Sequence, residues 1–178
     1  MWISKLRSVA LLGFLITASS GLISEAKAAA PPPTVIITLD YRGGMLVRPA
    51  TPYMQIFSNG QVVVTNIDGT QKHARLTAMQ LRQLHAFIVG QERFLTLNST
   101  QIANAIQAAL AKTLPPGTGV AITDGTTTTI SLRVTNTTTH GVSVYAADTY
   151  LGMVPTVKPL AEFVAIEHRL QQIANTAR

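Results

Sequence analysis

The chain has 178 residues, no cysteine and a formal net charge of +6, from 14 Lys and Arg against only eight Asp and Glu. The absence of cysteine excludes disulfides, a cysteine nucleophile and a bacterial lipid anchor on an N-terminal cysteine. The basic residues are scattered along the chain and form no run with interleaved aromatic residues. This pattern argues against a nucleic-acid-binding protein.

Residues 1–28 have the three parts of a secretory signal peptide. A positive segment precedes an apolar run from Val9 to Ile16, and small polar residues follow. The run is shorter than the roughly 20 apolar residues that span a bilayer, so we expect cleavage and no stable membrane insertion afterwards. An uncleaved anchor is the alternative. The small residues of Ala26-Lys27-Ala28 place the cut between Ala28 and Ala29.

Removal of residues 1–28 leaves a chain of ordinary one-domain length. Residues 29–33 form a Pro-rich leader, and residues 34–178 are predicted to form one domain. This mature chain keeps eleven basic and seven acidic side chains. The absence of cysteine fits a bacterial exported protein better than an animal secreted one, so we expect the periplasm or the extracellular space, or another extracytoplasmic lumen, as its location.

The first part of the domain is predicted to form strands. Apolar and polar residues alternate over 34–41, which indicates a strand, and Gly43-Gly44 then reads as a flexible strand end. Two more strands, at 53–57 and 61–65, flank Asn59-Gly60. This pair favours a type I′ turn, in which both central residues have positive φ.

The middle of the chain is predicted to be helical after one further turn at Asp68-Gly69 and a short strand at 72–75. Thr77 and Gln80 have the spacing of a capping box, and the helix that they open runs to Gly90. A second helix begins with the same pattern at Asn98 and Gln101 and continues to about Lys112.

The last part is predicted to return to strands and to end in a helix. Strands at 119–123 and 126–135 surround Asp124-Gly125, which is interpreted as a second tight turn, and residues 142–146 form another strand. Pro159 opens a final amphipathic helix. Threonine is concentrated around the second hairpin, where it suits a half-exposed strand; a sheet edge or face that docks a partner is the alternative.

These elements predict an α+β fold. The order is three strands, two helices, three strands and one helix, with hairpins throughout and no strand–helix–strand alternation. We therefore expect an antiparallel sheet of about six strands with the helices packed on one face.

The chemistry-bearing residues form no recognisable catalytic, cofactor-binding or metal-binding constellation, and no cofactor is expected. His85 lies at the border of an apolar helix face without a second ligand at helical spacing, and His168 lacks the second histidine of a zinc motif. Glu162 and Glu167 are five residues apart on one helix, so they do not share a face. The ligand-binding residues are left unassigned.

The order of the motifs resembles an uncharacterised family of exported bacterial domains. The resemblance rests on Ile36-Ile37-Thr38-Leu39 with Gly43-Gly44, Ile56-Phe57-Ser58-Asn59-Gly60-Gln61-Val62, Arg75-Leu76-Thr77, Asp124-Gly125 and Ile166-Glu167. Through its first strand and the Gly-Gly pair, the chain is also similar to small metalloprotease inhibitors of the emfourin type. Asn59 replaces the usual Asp, and the insertion at 97–112 is longer than the family pattern. The resemblance implies an α+β fold and carries over no active site.

We therefore predict a non-enzymatic exported module that binds another protein or a component of the cell envelope, as an inhibitor or an accessory protein. The alternative is a small exported hydrolase with dispersed catalytic groups. Its candidates are the polar titratable residues predicted in loops and at strand ends, namely Asp40, His73, His140 and Asp148.

Overall fold

The computed structural model describes residues 31–44, 47–115 and 117–178, and in these residues it contains six strands and four α-helices. The strands are β1 (Val35–Gly43), β2 (Met54–Phe57), β3 (Gln61–Thr65), β4 (Gln71–Arg75), β5 (Thr126–Arg133) and β6 (Thr139–Tyr145). The helices are α1 (Ala78–His85), α2 (Ser99–Thr113), α3 (Ala147–Met153) and α4 (Lys158–Ala174). A π-helical segment (Ala86–Gln91) extends α1, and a 3₁₀ turn (Phe94–Thr96) precedes α2.

The strands form one antiparallel sheet in the order β4-β3-β2-β1-β5-β6, which confirms the predicted α+β class. Strands that follow one another along the chain are hydrogen-bonded neighbours, except for β4 and β5, since β5 pairs with β1 instead. That pairing is continuous from Ile37 with Leu132 to Gly43 with Thr126. β1 therefore joins the part of the sheet before the helices to the part after them.

The helices cover the face of the sheet that carries the apolar side chains. Ile37 and Leu39 of β1 are buried, and their register partners Leu132 and Ile130 on β5 are buried with them. These residues belong to one core cluster with the apolar faces of α1, α2 and α4. Its largest fully buried helical members are Ile102, Leu160, Phe163, Ile166 and Leu170.

The opposite face of the sheet is polar where β1, β5 and β6 meet. Asp40, Thr129 and Ser143 occupy one row across these strands, and the Thr129 and Ser143 hydroxyls lie 2.9 Å apart. None of the three is buried. The threonine-rich strand therefore is half-exposed, as its alternating pattern predicts.

The predicted helix starts are confirmed. Thr77 and Gln80 form the reciprocal capping box, in which the Thr77 hydroxyl accepts from the Gln80 N–H and the Gln80 side chain accepts from the Thr77 N–H. Asn98 caps α2 through its side-chain oxygen, and Pro159 lies in the first turn of α4. α-Helical geometry ends at His85, earlier than predicted, and the chain then continues as a π-helical segment.

The turn at Asn59-Gly60 is a hairpin, but the predicted type I′ geometry is wrong. Gly60 has φ +82°, whereas Asn59 is not among the described residues with positive φ. The Gly60 N–H donates to the Phe57 carbonyl, and the Asn59 side chain accepts from the Gln61 N–H. A three-residue loop that ends in a left-handed glycine explains this pattern, because it needs positive φ at one position only.

The distribution of strands also differs from the prediction, with four before the helices and two after them. Residues 72–75 belong to β4, whereas 119–123 form no strand and Asp124-Gly125 is not a hairpin turn. The reason is that both edges of β5 are already paired, with β1 and with β6, so the preceding segment has no strand to join. The short helix α3 was not predicted; it follows Ala146, which has φ +46°.

The predicted signal peptide, the cut between Ala28 and Ala29 and the start of the Pro-rich leader lie outside the described residues. Residues Pro32–Arg178 form one compact unit. In the part of the chain that the structure describes, no helix has the length and apolar character required to cross a membrane.

Candidate functional site

The four residues considered for a hydrolase lie in separate places. His73 is exposed on the outer strand β4, and His140 lies on the outer strand β6 at the other edge of the sheet. Five strand spacings separate the two edges, which is about 24 Å. Asp40 lies on β1, where it pairs with Arg42 at 2.6 Å, and Asp148 lies on α3. The structure does not bring these residues together.

The positions of His140, His85 and His168 are explained by the fold. The His140 ring packs edge-on against Phe94, and its Nε2 lies 3.1 Å from the Leu97 carbonyl oxygen. His85 is exposed on α1, and His168 pairs with Asp148 at 2.9 Å. Among the described residues, no group of three or more His, Asp or Glu side chains is arranged to hold a metal ion.

The Gly43-Gly44 pair is held by a close approach, which differs from the predicted flexible strand end. Both glycines have positive φ, and a Cβ on Gly44 would lie 2.9 Å from the Asp124 carbonyl oxygen. The end of β1 is therefore packed against the segment that leads into β5. On that segment, Asp124 and Gly125 line the cleft described next.

A cleft of about 610 Å³ opens at the end of the sheet where β1 finishes and β5 begins. We call it the sheet-end cleft. Residues near the end of β1, at the start of β5 and on α3 and α4 line it. Its lining includes Tyr41, Arg48, Tyr53, Asp124, Thr128, Asp148, Thr149, Glu167, Gln171 and Asn175. Its volume lies in the range of small-molecule binding sites.

Glu167 is the most unusual residue of the cleft. Among the described residues it is the only buried side chain with an ionisable group, and it is 2% exposed. Its Oε1 accepts from the Thr128 hydroxyl at 3.2 Å and from the Gln171 side chain at 3.4 Å. Its Oε2 is buried and has no hydrogen-bond partner in the described part of the chain. A buried carboxyl oxygen in this state costs stability unless a ligand or a proton satisfies it.

The surroundings of Glu167 favour its neutral form. Burial raises the pKa of this carboxyl above its usual value, and the neighbouring Asp148 carboxylate raises it further. Interactions with Tyr41, Thr128 and His168 act in the opposite direction but are weaker. The carboxyl can therefore donate a hydrogen bond when protonated, and it ionises more readily when a positive group approaches.

Tyr41 links Glu167 to the other side of the cleft. Its hydroxyl oxygen accepts from the Gln171 side chain at 2.7 Å, and burial, together with the charge of Glu167, raises its pKa. The Tyr41 and Tyr53 rings pack edge to face with their centroids 5.2 Å apart. The Arg48 guanidinium lies 5.3 and 5.2 Å from the two ring centroids, a cation–π arrangement. The buried Arg48 Nε has no acceptor among the described residues.

Tyr145 fixes the segment that carries Asp124. Its hydroxyl donates to the Ile122 carbonyl at 2.8 Å and accepts from the Gly125 N–H at 3.1 Å. Asp124, between them, has φ +62°. One side chain thus holds a non-regular segment in place on both sides of an acid, which gives Asp124 a defined position at the cleft.

Sequence reasoning missed Glu167, Tyr41 and Arg48 as site residues. A signal for Glu167 was present, because it lies four residues after Phe163 and three before Leu170, in the middle of the apolar stripe of α4. An acid at such a position is buried, and buried acids are rare. Tyr41 and Arg48 carry no comparable local signal.

Comparison with protein-family models, with curated proteins and with solved structures gives no match for this chain. The resemblance to exported bacterial domains and to emfourin-type inhibitors stays a prediction.

Proposed function

We propose that this chain is an exported, non-enzymatic binding module that takes its ligand into the sheet-end cleft. The observation that carries the proposal is Glu167, a residue of the cleft lining that is 2% exposed and whose buried Oε2 has no hydrogen-bond partner in the described chain. Leaving such a group unsatisfied costs about 1–3 kcal/mol. A ligand that hydrogen-bonds to this oxygen recovers that free energy, so the cleft is prepared for an occupant.

The rest of the cleft supports binding by a preformed site. Tyr41, Gln171 and Thr128 are already joined to Glu167 in a hydrogen-bonded chain, and Arg48 is already stacked on its two tyrosines. Side chains that are ordered before binding lose little conformational entropy when the ligand arrives. The predicted signal peptide favours a ligand met outside the cytoplasm, on a partner protein or a component of the cell envelope.

The sheet edges are less suited to receive a partner than the cleft. On β4, His73 exchanges two backbone hydrogen bonds with Arg178, at 3.1 and 3.2 Å. On β6, the Ser143 N–H donates to the Ser99 hydroxyl at the start of α2. Contacts of this kind block the addition of a further strand. The hydrolase alternative has no geometric support, because its four candidate residues do not converge.

The proposal is tested by screening a library of positive, neutral and negative fragments by ¹H–¹⁵N NMR. We expect some fragments to shift the amide signals of Tyr41, Thr128 and Gln171. Thr149→Trp places a large side chain at an exposed lining position and should abolish these shifts. Thr100→Trp, on an exposed position of α2 outside the cleft, is the matched control and should leave them unchanged. A library without a single binder in the cleft would contradict the proposal.

A further inference from the structure

The sheet-end cleft has a charge opposite to that of the domain around it. Of the seven acids that follow residue 28, three line the cleft, namely Asp124, Asp148 and Glu167. Of the eleven basic residues in the same part of the chain, only Arg48 does so. Composition alone would place more basic than acidic groups there, so the concentration of acids is specific to this site.

All three acids that line the cleft keep unused accepting capacity. Glu167 Oε2 is buried and unpaired within the described residues. Asp148 uses Oδ1 for His168, at 2.9 Å, and its side chain is 58% exposed. Asp124 makes no ion pair in the described chain, where the salt bridges are Arg42–Asp40, Lys158–Glu162 and His168–Asp148.

Arg48 does not neutralise this group of acids. Its guanidinium lies over the Tyr41 and Tyr53 rings, and within the described residues it forms no ion pair with an acid. Cation–π contact satisfies the face of a guanidinium without consuming a carboxylate. The acceptors around Glu167 therefore remain available to a positive group that comes from outside the domain.

We propose that the sheet-end cleft binds an alkylammonium or guanidinium group, with Glu167 Oε2 as its inner acceptor and Asp148 and Asp124 as the outer acids. This inference rests on the proposed binding function and adds the chemical class of the ligand. A charge-assisted hydrogen bond to a buried carboxylate is stronger than one between neutral groups. The source of the group is a Lys or Arg side chain of a partner polypeptide or a free polyamine.

The decisive experiment uses three probes that share four carbon atoms and differ in the charge of the head group: n-butylammonium, butanamide and butyrate. Their affinities for the complete exported chain are measured by NMR titration of the cleft amides. We expect n-butylammonium to bind about tenfold more tightly than butanamide, and butyrate more weakly than either. Glu167→Gln should remove the preference for the cation: the affinity for n-butylammonium should fall about tenfold, and the affinity for butanamide should stay unchanged.

Glu162→Gln is the matched control, because Glu162 lies on the same helix but pairs with Lys158 and does not line the cleft. It should leave all three affinities unchanged. If Glu167→Gln does not fold, Asp148→Asn gives the second test at an exposed position. This substitution should lower the affinity for n-butylammonium about two- to fivefold, which is the effect of one exposed ion pair.

The outcomes separate this inference from the proposed function. Binding of butyrate or butanamide as tightly as n-butylammonium overturns the inference and leaves the binding function intact. The inference is overturned in the same way if only uncharged or negative fragments of the wider library occupy the cleft. Absence of every probe and fragment from the cleft overturns both.

A second comparison identifies the source of the positive group once n-butylammonium is found to bind preferentially. A blocked pentapeptide with one central arginine is compared with agmatine by the same titration. Tighter binding of the peptide assigns the source to a polypeptide, and tighter binding of agmatine assigns it to a free amine.

Discussion

The two ends of the sheet are closed in different ways. At the end where β1 begins, Gly60 lies against Leu76: its carbonyl accepts the Leu76 N–H at 2.8 Å, and a Cβ on it would lie 2.3 Å from the Leu76 carbonyl oxygen. At the end where β1 finishes, Gly125 lies against the Tyr145 ring, and its N–H donates to the Tyr145 hydroxyl.

The first end is closed by backbone, whereas at the second end the Tyr145 side chain adds to the backbone contact of Gly44 with Asp124. Backbone that is hydrogen-bonded into a sheet and a helix start cannot move without loss of both elements. A side chain can leave its position at a smaller cost. The end closed by Tyr145 is also the end that carries the sheet-end cleft. The proposed binding site therefore lies at the end of the sheet that Tyr145 helps to close.

The largest expected effect is at the end closed by backbone. Gly60→Val forces a branched side chain into positive φ and into the Leu76 carbonyl, so we expect a loss of about 3–5 kcal/mol from strain and overpacking together. Gly69→Val is the matched control, since Gly69 has φ +84° but nothing within 4 Å of its Cβ position. It should lose only about 1–3 kcal/mol. Denaturant midpoints compare the two, and equal losses would show that the Leu76 contact is unimportant.

At the end closed by a side chain, Gly125→Ala should cost about 1–3 kcal/mol, because the new methyl group displaces the Tyr145 ring, whose nearest atom would lie 2.5 Å away. In a Tyr145→Ala background the same substitution should cost much less. A double-mutant cycle by chemical denaturation measures this rescue. If Gly125→Ala is equally damaging in both backgrounds, Tyr145 is not what closes this end.

The end with the cleft should also respond to pH. The pKa of Glu167 is raised in the folded protein. Between the two pKa values the folded protein therefore keeps a proton on this carboxyl, whereas the unfolded chain has released it. Stability therefore falls as pH rises from the ordinary glutamate value of 4.5 through the raised pKa of the folded state. The slope contributed by this one proton is at most about 1.4 kcal/mol per pH unit.

Glu167→Gln removes this titration, so its stability should gain on that of the wild type as pH rises through the same window. Denaturant midpoints at a series of pH values measure the difference. Glu162→Gln, at an ion-paired position on the same helix, should run parallel to the wild type. Parallel curves for Glu167→Gln as well would mean that Glu167 ionises normally in the folded protein.

The smallest effect is expected from Tyr145→Phe. The ring remains, but the Ile122 carbonyl and the Gly125 N–H lose their partner, at a cost of about 1 kcal/mol in this partly exposed position. The affinity for n-butylammonium should also fall, because the Tyr145 hydroxyl no longer holds the segment that carries Asp124. Thermal unfolding and NMR titration test the two parts separately. An unchanged affinity would remove Asp124 from the proposed site.

Local rules were sufficient for the features that depend on neighbouring residues. The capping box at Thr77, the positive φ of Gly60 and the apolar stripe after Pro159 were all predictable, because each is decided within one turn of chain. The class of the fold follows from the order of such features. The register of the β2–β3 hairpin was not predicted, because a three-residue loop replaces the type I′ turn expected at Asn59-Gly60.

Contacts between distant parts of the chain were not accessible in this way. Asp124-Gly125 has the composition of a hairpin turn, but the fate of the pair is decided by the β1–β5 pairing and by Tyr145. Glu167 reaches Thr128 and, through Gln171, Tyr41, and each of these residues comes from a different element. A pattern search along one segment cannot find a site whose members meet only after folding.

The pairing of β1 with β5 has a consequence for how the chain folds. The hairpins of β2 with β3 and of β5 with β6 close over short loops, whereas Ile37 must find Leu132 across both helices and all the intervening strands. Loop closure over such a length is entropically costly, and contacts that are distant in sequence slow folding. We expect the two parts of the sheet to form early and the β1–β5 seam to form in the rate-limiting step. The residues of β1 and β5 that line the cleft would then come together only at the end of folding.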